Sequence, residues 1–258
     1  MTKILAIANQ KGGVGKTTTT VNLAACLSDL KQRVLLVDLD PQGNATMGSG
    51  LEKNDLSRSI YDVLAQGASA KQCIQRSDVA GFDLLPANGD LTAAEVELLD
   101  SDKRERCLKE ALSEVAGEYD FVLIDCPPSL NMLTLNALVA ANGIIITMQC
   151  EYYALEGLSA LLNTVGKVAS SINPNIRIEG ILRTMYDPRN GLTRDVSSQL
   201  LSHFSDKVYR TVIPRNVRLA EAPSHGLPIV RYDRSSRGSA AYQALAQEIM
   251  NKLAKSAD

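Results

Sequence analysis

The stretch Asn9–Thr20, NQKGGVGKTTTT, places two lysines, Lys11 and Lys16, in one glycine-rich loop. Gly12, Gly13 and Gly15 let the backbone turn tightly and bring successive N–H groups against an anion. A helix starting at Thr17 adds its positive end. Lys16 then reaches the β- and γ-phosphates of a nucleotide, and the Thr17 hydroxyl reaches Mg²⁺. The pattern G-x-x-x-x-G-K-[ST] is met at Gly15, Lys16 and Thr17, but its first glycine is replaced by Gln10. Lys11 is a surplus cation. Taken alone, it reads as a second contact to the same nucleotide.

Two further polar tails complete the chemistry. FVLIDCPPS ends an apolar run in Asp125, the position from which a carboxylate holds the Mg²⁺ shell in nucleotide hydrolases. VDLDPQGNAT ends another in Asp38 and Asp40, two apart and so on one side of a strand. Pro41 biases Asp40 toward an extended backbone, and a carboxylate near the γ-phosphate can orient or activate the attacking water. The only histidines, His203 and His225, lie away from these tails, which argues against a histidine base. Cys126, beside Asp125, has no histidine or second cysteine at a useful spacing. It reads as a small buried residue rather than a nucleophile or cluster ligand.

These tails need strands to project from. Short apolar runs predict strands at residues 4–8, 34–38, 82–86, 121–125, 143–148, 178–182 and 210–213. Helical patterns fall at 17–30, 59–65, 92–99, 104–116, 130–140, 155–171, 193–204 and 239–255. The alternation implies an α/β fold, a doubly wound, mostly parallel sheet with helices on both faces. Ligands bind beyond the carboxyl ends of the strands in such sheets, where the three tails should meet. No repeat or linker divides the sequence, so a single domain over residues 1–258 is expected. With the first strand starting so early, no N-terminal helix-turn-helix domain is expected.

Hydrophobic content of 45% with 22% charged residues suits a globular protein, and no apolar run approaches the roughly 20 residues of a membrane span. Five cysteines without a C-x-x-C pair favour a reducing, cytoplasmic setting over a disulfide framework or zinc site. Residues 1–176 hold 14 Lys and Arg against 21 Asp and Glu, a balance of −7, whereas residues 177–258 hold 13 against 8, a balance of +5. A basic half beside an acidic one points to a polyanionic partner.

KGGVGKTT, with both lysines, resembles the deviant Walker A motif of the ParA/MinD superfamily of P-loop ATPases. LLVDLDPQGNAT, FVLIDCPPSL, QCEYYALEGL and VYRTVIPRNVRLAEAPSHGLPI resemble its chromosomal ParA (Soj) branch, and the likeness runs from Lys3 to about Leu253. The resemblance implies an ATPase using ATP and Mg²⁺, with ATP sandwiched in a homodimer and Lys11 reaching the partner's nucleotide. It assigns Gly12, Gly13, Gly15, Lys16, Thr17 and Thr18 to the phosphates and metal, and Asp125 to the Walker B aspartate. Asp40 falls at the residue implicated in hydrolysis, with Asp38 in support. Pro214 and Asn216 fall where the adenine is held. Arg189 and Arg218 match positions that bind double-stranded DNA without reading its sequence, and both lie in the basic half. A ParB-type centromere-binding partner that stimulates weak basal hydrolysis, and association with the nucleoid, are implied in the same way. One departure is Arg183, a charge where the pattern leads one to expect none, close to the adenine side around Met185.

Three other readings compete. A MinD-like membrane-surface ATPase needs a C-terminal helix with a bulky apolar face opposite a basic one. Here Leu245, Ile249 and Leu253 recur at helical spacing with few lysines, which suits packing on the sheet. A nitrogenase-type iron protein needs cysteines in matching contexts to share a cluster, which Cys126 and Cys150 do not offer. A nucleotide-gated filament scaffold would instead be distinguished by sedimentation with ATP in the absence of DNA.

Overall fold

The apolar runs pair side by side in a computed structural model that describes residues 2–100 and 103–255. The strands are β1 (Lys3–Ala8), β2 (Val34–Asp38), β3 (Gln75–Ser77), β4 (Phe82–Leu85), β5 (Phe121–Asp125), β6 (Gly143–Gln149), β7 (Arg177–Tyr186) and β8 (Val208–Pro214). They form one sheet in the order β3-β4-β2-β5-β1-β6-β7-β8. All neighbours are parallel except β3, which runs antiparallel to β4 at the edge. Every residue of β2 and β5 is buried, as strands covered on both faces require.

The helices are α1 (Lys16–Asp29), α2 (Asn44–Gly48), α3 (Ile60–Ala65), α4 (Ala70–Cys73), α5 (Leu91–Glu97), α6 (Cys107–Ser113), α7 (Met132–Ala140), α8 (Ala154–Ser171), α9 (Gly191–Phe204), α10 (Val217–Glu221), α11 (Ile229–Tyr232) and α12 (Arg237–Lys255). Helices α1, α11 and α12 bury one face of the sheet. Helices α3 and α5 to α9 bury the other. Successive strands are laid down on both sides of β1, so the order reverses beside it. That reversal opens a crevice beyond the carboxyl ends.

All seven expected strands are present. The eighth, β3, is a short polar segment whose existence depends on pairing with β4, so no apolar run announces it. The helix expected over residues 104–116 is shorter. It occupies Cys107–Ser113 and gives way to a 3₁₀ turn at Ala116–Glu118, where Val115 N–H bonds back to the carbonyl of Leu112. Several other helices have only four or five residues, too few for a helical period to be legible.

Helix α12 is held by its apolar face. Leu245, Ala246 and Ile249 are fully buried, and the Tyr242 hydroxyl shares a 3.1 Å hydrogen bond with Thr19 of α1. Leu253 packs against the same core. This is the arrangement expected of a helix packed on the sheet. Leu245→Ala should therefore lower the unfolding free energy by about 2–5 kcal/mol. The measurement is the urea midpoint at unchanged slope. A change below about 0.5 kcal/mol, typical of a surface position, would mean that α12 does not belong to the core.

Candidate functional site

The loop between β1 and α1 needs glycine where its backbone enters the left-handed region, at Gly13 (φ 72°) and Gly15 (φ 85°). Gly15 is the N-cap of α1 and supplies no side-chain cap, so the first N–H groups of the helix keep no partner within the helix. The loop is pinned from below by Thr184 of β7, whose hydroxyl donates to the Val14 carbonyl at 2.8 Å. Above it lies a cleft of about 720 Å³ lined by Gly12, Gly13, Gly15, Lys16, Thr17 and Thr18. Asp40, Pro214 and Asn216 line the same cleft, together with Met185, Arg215 and Tyr242. Uncapped N–H groups, a lysine and a helix dipole pointing into one cavity make an anion site.

The two lysines of the loop point different ways. Lys16 is 7% exposed, and its ammonium donates to the Lys11 carbonyl at 3.2 Å. Burial pulls its pKa below the ordinary lysine value, against the pull of Asp125 and Asp40. The Lys11 side chain does not line the cleft. It runs along the rim to an ion pair with Glu151.

The carboxylates also divide. Asp125 and Asp38 sit opposite each other in the register of β5 and β2, and both are fully buried. Asp125 accepts the Thr17 hydroxyl at 2.7 Å and the Thr20 hydroxyl at 3.0 Å. Asp38 accepts the N–H and hydroxyl of Thr46, at 2.8 and 2.7 Å, and the N–H of Asp40 at 3.2 Å. Burial pushes both carboxyls above the usual carboxylate range; repulsion from Asp38 adds to Asp125, and repulsion from Asp40 adds to Asp38. Asp38 therefore braces the β2 tail, rather than lining the cleft as its neighbour Asp40 does. Asp40 is 9% exposed and accepts the Gln42 N–H on one oxygen at 2.9 Å, so its other oxygen is available to a ligand.

The residues present fit Mg²⁺. The Thr17 hydroxyl and the Asp125 carboxylate are hard oxygen donors in contact, and the Lys16 ammonium lies close enough to feel the charge of Asp125. Among the described residues no group of three or more His, Cys, Asp or Glu side chains could hold a metal alone.

On the side of the cleft lined by Pro214 and Asn216, Met185 adopts φ 48°, a left-handed conformation unusual for a side-chain-bearing residue, and the β7–β8 register shifts there. Strand alternation breaks, so Thr184 and Met185 both face the cleft. Arg183 faces elsewhere. It is buried, donating to Ser197 of α9 at 2.9 Å and to the Tyr209 carbonyl of β8 at 3.0 Å. Its charge is thus spent inside the fold, and it does not line the cleft. Asn216 lines the cleft and also caps α10, accepting the Leu219 N–H at 3.3 Å. The arginines expected to bind DNA are exposed and paired, Arg189 with Asp187 and Arg218 with Glu221, both at 2.8 Å. Arg189 first, and then Arg215, hold the Asp187 carboxyl down at about 2, so Arg215 acts on the segment that carries Arg189. Thr20, Thr46, Thr184 and Arg215 were not singled out by sequence. The partners of Thr20 and Thr184 lie more than a hundred residues away, and Thr46 bonds to Asp38, eight residues before it.

The chain matches the model of the AAA_31 family, described as an AAA domain, over residues 2–178. It is 55% identical over 249 residues to the sporulation initiation inhibitor protein Soj of Bacillus subtilis, covering 96% of this chain and 98% of that protein. It is 47% identical over 252 residues to the chromosome partitioning protein ParA of Caulobacter vibrioides, covering 97% and 94%. Among solved structures, a cobyrinic acid a,c-diamide synthase from Mycobacterium smegmatis with bound ADP and magnesium superposes with a TM-score of 0.87. That protein shares 40% identity, with 98% of this chain and 96% of the other covered.

A carboxyl whose pKa is raised on folding stabilises the fold only while protonated and costs stability as pH climbs through the folded value. Asp125→Asn removes that cost near neutrality and keeps an oxygen for Thr17 and Thr20. The metal-free variant should be more stable than the parent at pH 7, by on the order of 1 kcal/mol. Its nucleotide binding should no longer respond to Mg²⁺. The checks are urea midpoints with chelator and nucleotide titrations with and without Mg²⁺. A less stable variant would show that the carboxylate is structural.

Proposed function

Because the chain belongs to the Soj/ParA family of chromosome-partitioning ATPases, we propose that it couples ATP binding and hydrolysis to reversible dimerisation on DNA. The observation that carries this reading is the divergence of the two loop lysines. Lys16 serves the nucleotide of its own subunit, and Lys11, which is outside its own cleft, is presented to a facing one. An ATP enclosed between two chains carries more negative charge than one ammonium offsets, and each charge counts for more once water is excluded.

The loop N–H groups and Lys16 bind the β- and γ-phosphates, and Thr17 and Asp125 would hold Mg²⁺. The ion supplies neutralisation of the phosphate charge during phosphoryl transfer. Asp40, through its open oxygen, orients the attacking water, and Asp38 keeps Asp40 in place through the Asp40 N–H and Thr46. Pro214, Met185 and Asn216 enclose the base. Cys26, Cys73, Cys126 and Cys150 are buried, and burial pushes each thiol up, Cys26 to about 12. Such thiols favour packing over nucleophilic work.

Arg189 and Arg218 form the DNA surface. Each is exposed, and an exposed ion pair contributes at most about 1 kcal/mol, so phosphates can displace Asp187 and Glu221. One copy makes a weak site, whereas two copies in an ATP-bound dimer gain through effective concentration. A ParB-type protein that stimulates hydrolysis would then release the dimer from DNA, giving directed movement on the nucleoid.

Lys16→Ala should abolish ATP binding, whereas Lys11→Ala should keep binding by single chains and lose dimerisation and hydrolysis. Nucleotide titrations beside sizing runs with a slowly hydrolysed ATP analogue decide it. Equal loss of affinity in both variants would remove the cross-subunit role of Lys11.

DNA retention should require ATP, ignore sequence and fall steeply with salt. Arg218→Glu should abolish retention while leaving ATP binding and dimerisation intact. Filter retention on one random duplex across a salt series tests this, and unchanged affinity in the variant would count against it.

A further inference from the structure

The Lys11–Glu151 pair joins residues far apart in sequence at the rim of the cleft, and the backbone around each is fixed. The Lys11 N–H donates to the Asn9 side chain at 2.9 Å, and Asn9 donates to the Thr147 carbonyl of β6 at 2.7 Å. The Lys11 carbonyl is held by Lys16. Glu151 sits just past β6, with its N–H on the Gln149 carbonyl at 2.9 Å and its own carbonyl accepting the Ala154 N–H of α8 at 3.0 Å. The backbone of both residues is thus hydrogen-bonded, and the pair is made by their side chains.

From this arrangement we infer that Glu151 is a positioning residue for Lys11, holding its ammonium along the rim in the single chain and surrendering it when a second copy brings its nucleotide. The inference rests on the dimer reading above. Lys11 and Glu151 are 54% and 44% exposed at their side chains, so water competes with the pair and it can exchange at little cost. One carboxylate is a poorer partner than a triphosphate held in an interface from which water is excluded. The flanking side chains suit such an interface. Tyr152 and Tyr153, next to Glu151 in the chain, are 74% and 72% exposed and stack edge to face, leaving aromatic area for a facing copy to cover. With Lys11 held by Glu151, the nucleotide of the same subunit is left to Lys16, and each lysine keeps its own phosphate. Breaking the pair is then a step of dimerisation, and Glu151 sets part of its threshold.

Glu151→Gln removes the charge and keeps the shape. Sedimentation with a slowly hydrolysed ATP analogue should give a dimer dissociation constant about two- to fivefold lower than wild type at low salt. The ratio should approach one near about 1 M salt, where the Debye length falls to about 3 Å and the wild-type pair is screened. A role confined to folding would not give that salt convergence. Analogue affinity measured below the dimerisation range should match wild type. A variant dimer equal to or weaker than wild type at low salt, while Lys11→Ala fails to dimerise, overturns the inference and leaves the dimer reading standing. If wild type forms no Lys11-dependent dimer, the dimer reading fails and takes this inference with it.

Discussion

Two carboxylates, Asp38 and Asp125, stand buried side by side at the ends of neighbouring parallel strands, and much of the surrounding structure is arranged to tolerate them. A buried charge without hydrogen bonds and a counter-charge is among the costliest features a fold can carry. Here Thr17 and Thr20 of α1 donate to Asp125, and Thr46 of α2 with the Asp40 N–H donates to Asp38. Lys16, whose ammonium feels the charge of Asp125, is itself buried. Burial and repulsion from neighbouring carboxylates push both carboxyls up, and a divalent cation with its phosphates would favour their charged forms.

The same network ties the chemistry to the surrounding segments. Thr46 donates its hydroxyl to Asp38 and accepts the Ala87 N–H at 3.0 Å, so β2, α2 and the segment after β4 share one hydroxyl. Asp40 is attached to that network through its N–H and to the cleft through its side chain. A change in what Asp40 contacts therefore acts on a buried, hydrogen-bonded cluster rather than on a free loop. Such clusters respond by switching between discrete arrangements, because close packing leaves little room for gradual adjustment.

What was legible in the sequence follows from how local each feature is. The glycine–lysine loop, the apolar strands and the Asp125 tail are local, so residue type and spacing suffice to locate them. The placing of Asp38 is not local, since it depends on Thr46 and the register with β5. Nor is the direction of Lys11, which depends on a glutamate that follows β6. Arg183 looked out of place because its partners, Ser197 and the Tyr209 carbonyl, come from α9 and β8. The left-handed backbone at Met185 breaks the very alternation on which strand reading relies.

Charge shows the same limit at the surface. The basic balance of the last third of the chain was countable, but the pairing of Arg189 with Asp187 and of Arg218 with Glu221 was not. That pairing changes the meaning of the count. An arginine already neutralised attracts a polyanion weakly from a distance, and it contributes only when a phosphate is close enough to replace its carboxylate. Lys11 is in the same condition at the cleft rim, neutralised by Glu151 until a stronger anion arrives. Where exposed cations such as Arg189, Arg218 and Lys11 are each held by an internal carboxylate, a single chain presents less free positive charge than the count suggests. In the proposed dimer, two copies presenting those cations together to one duplex would gain through effective concentration. On that proposal, pairing turns a modest basic surface into one whose response to dimerisation is steep.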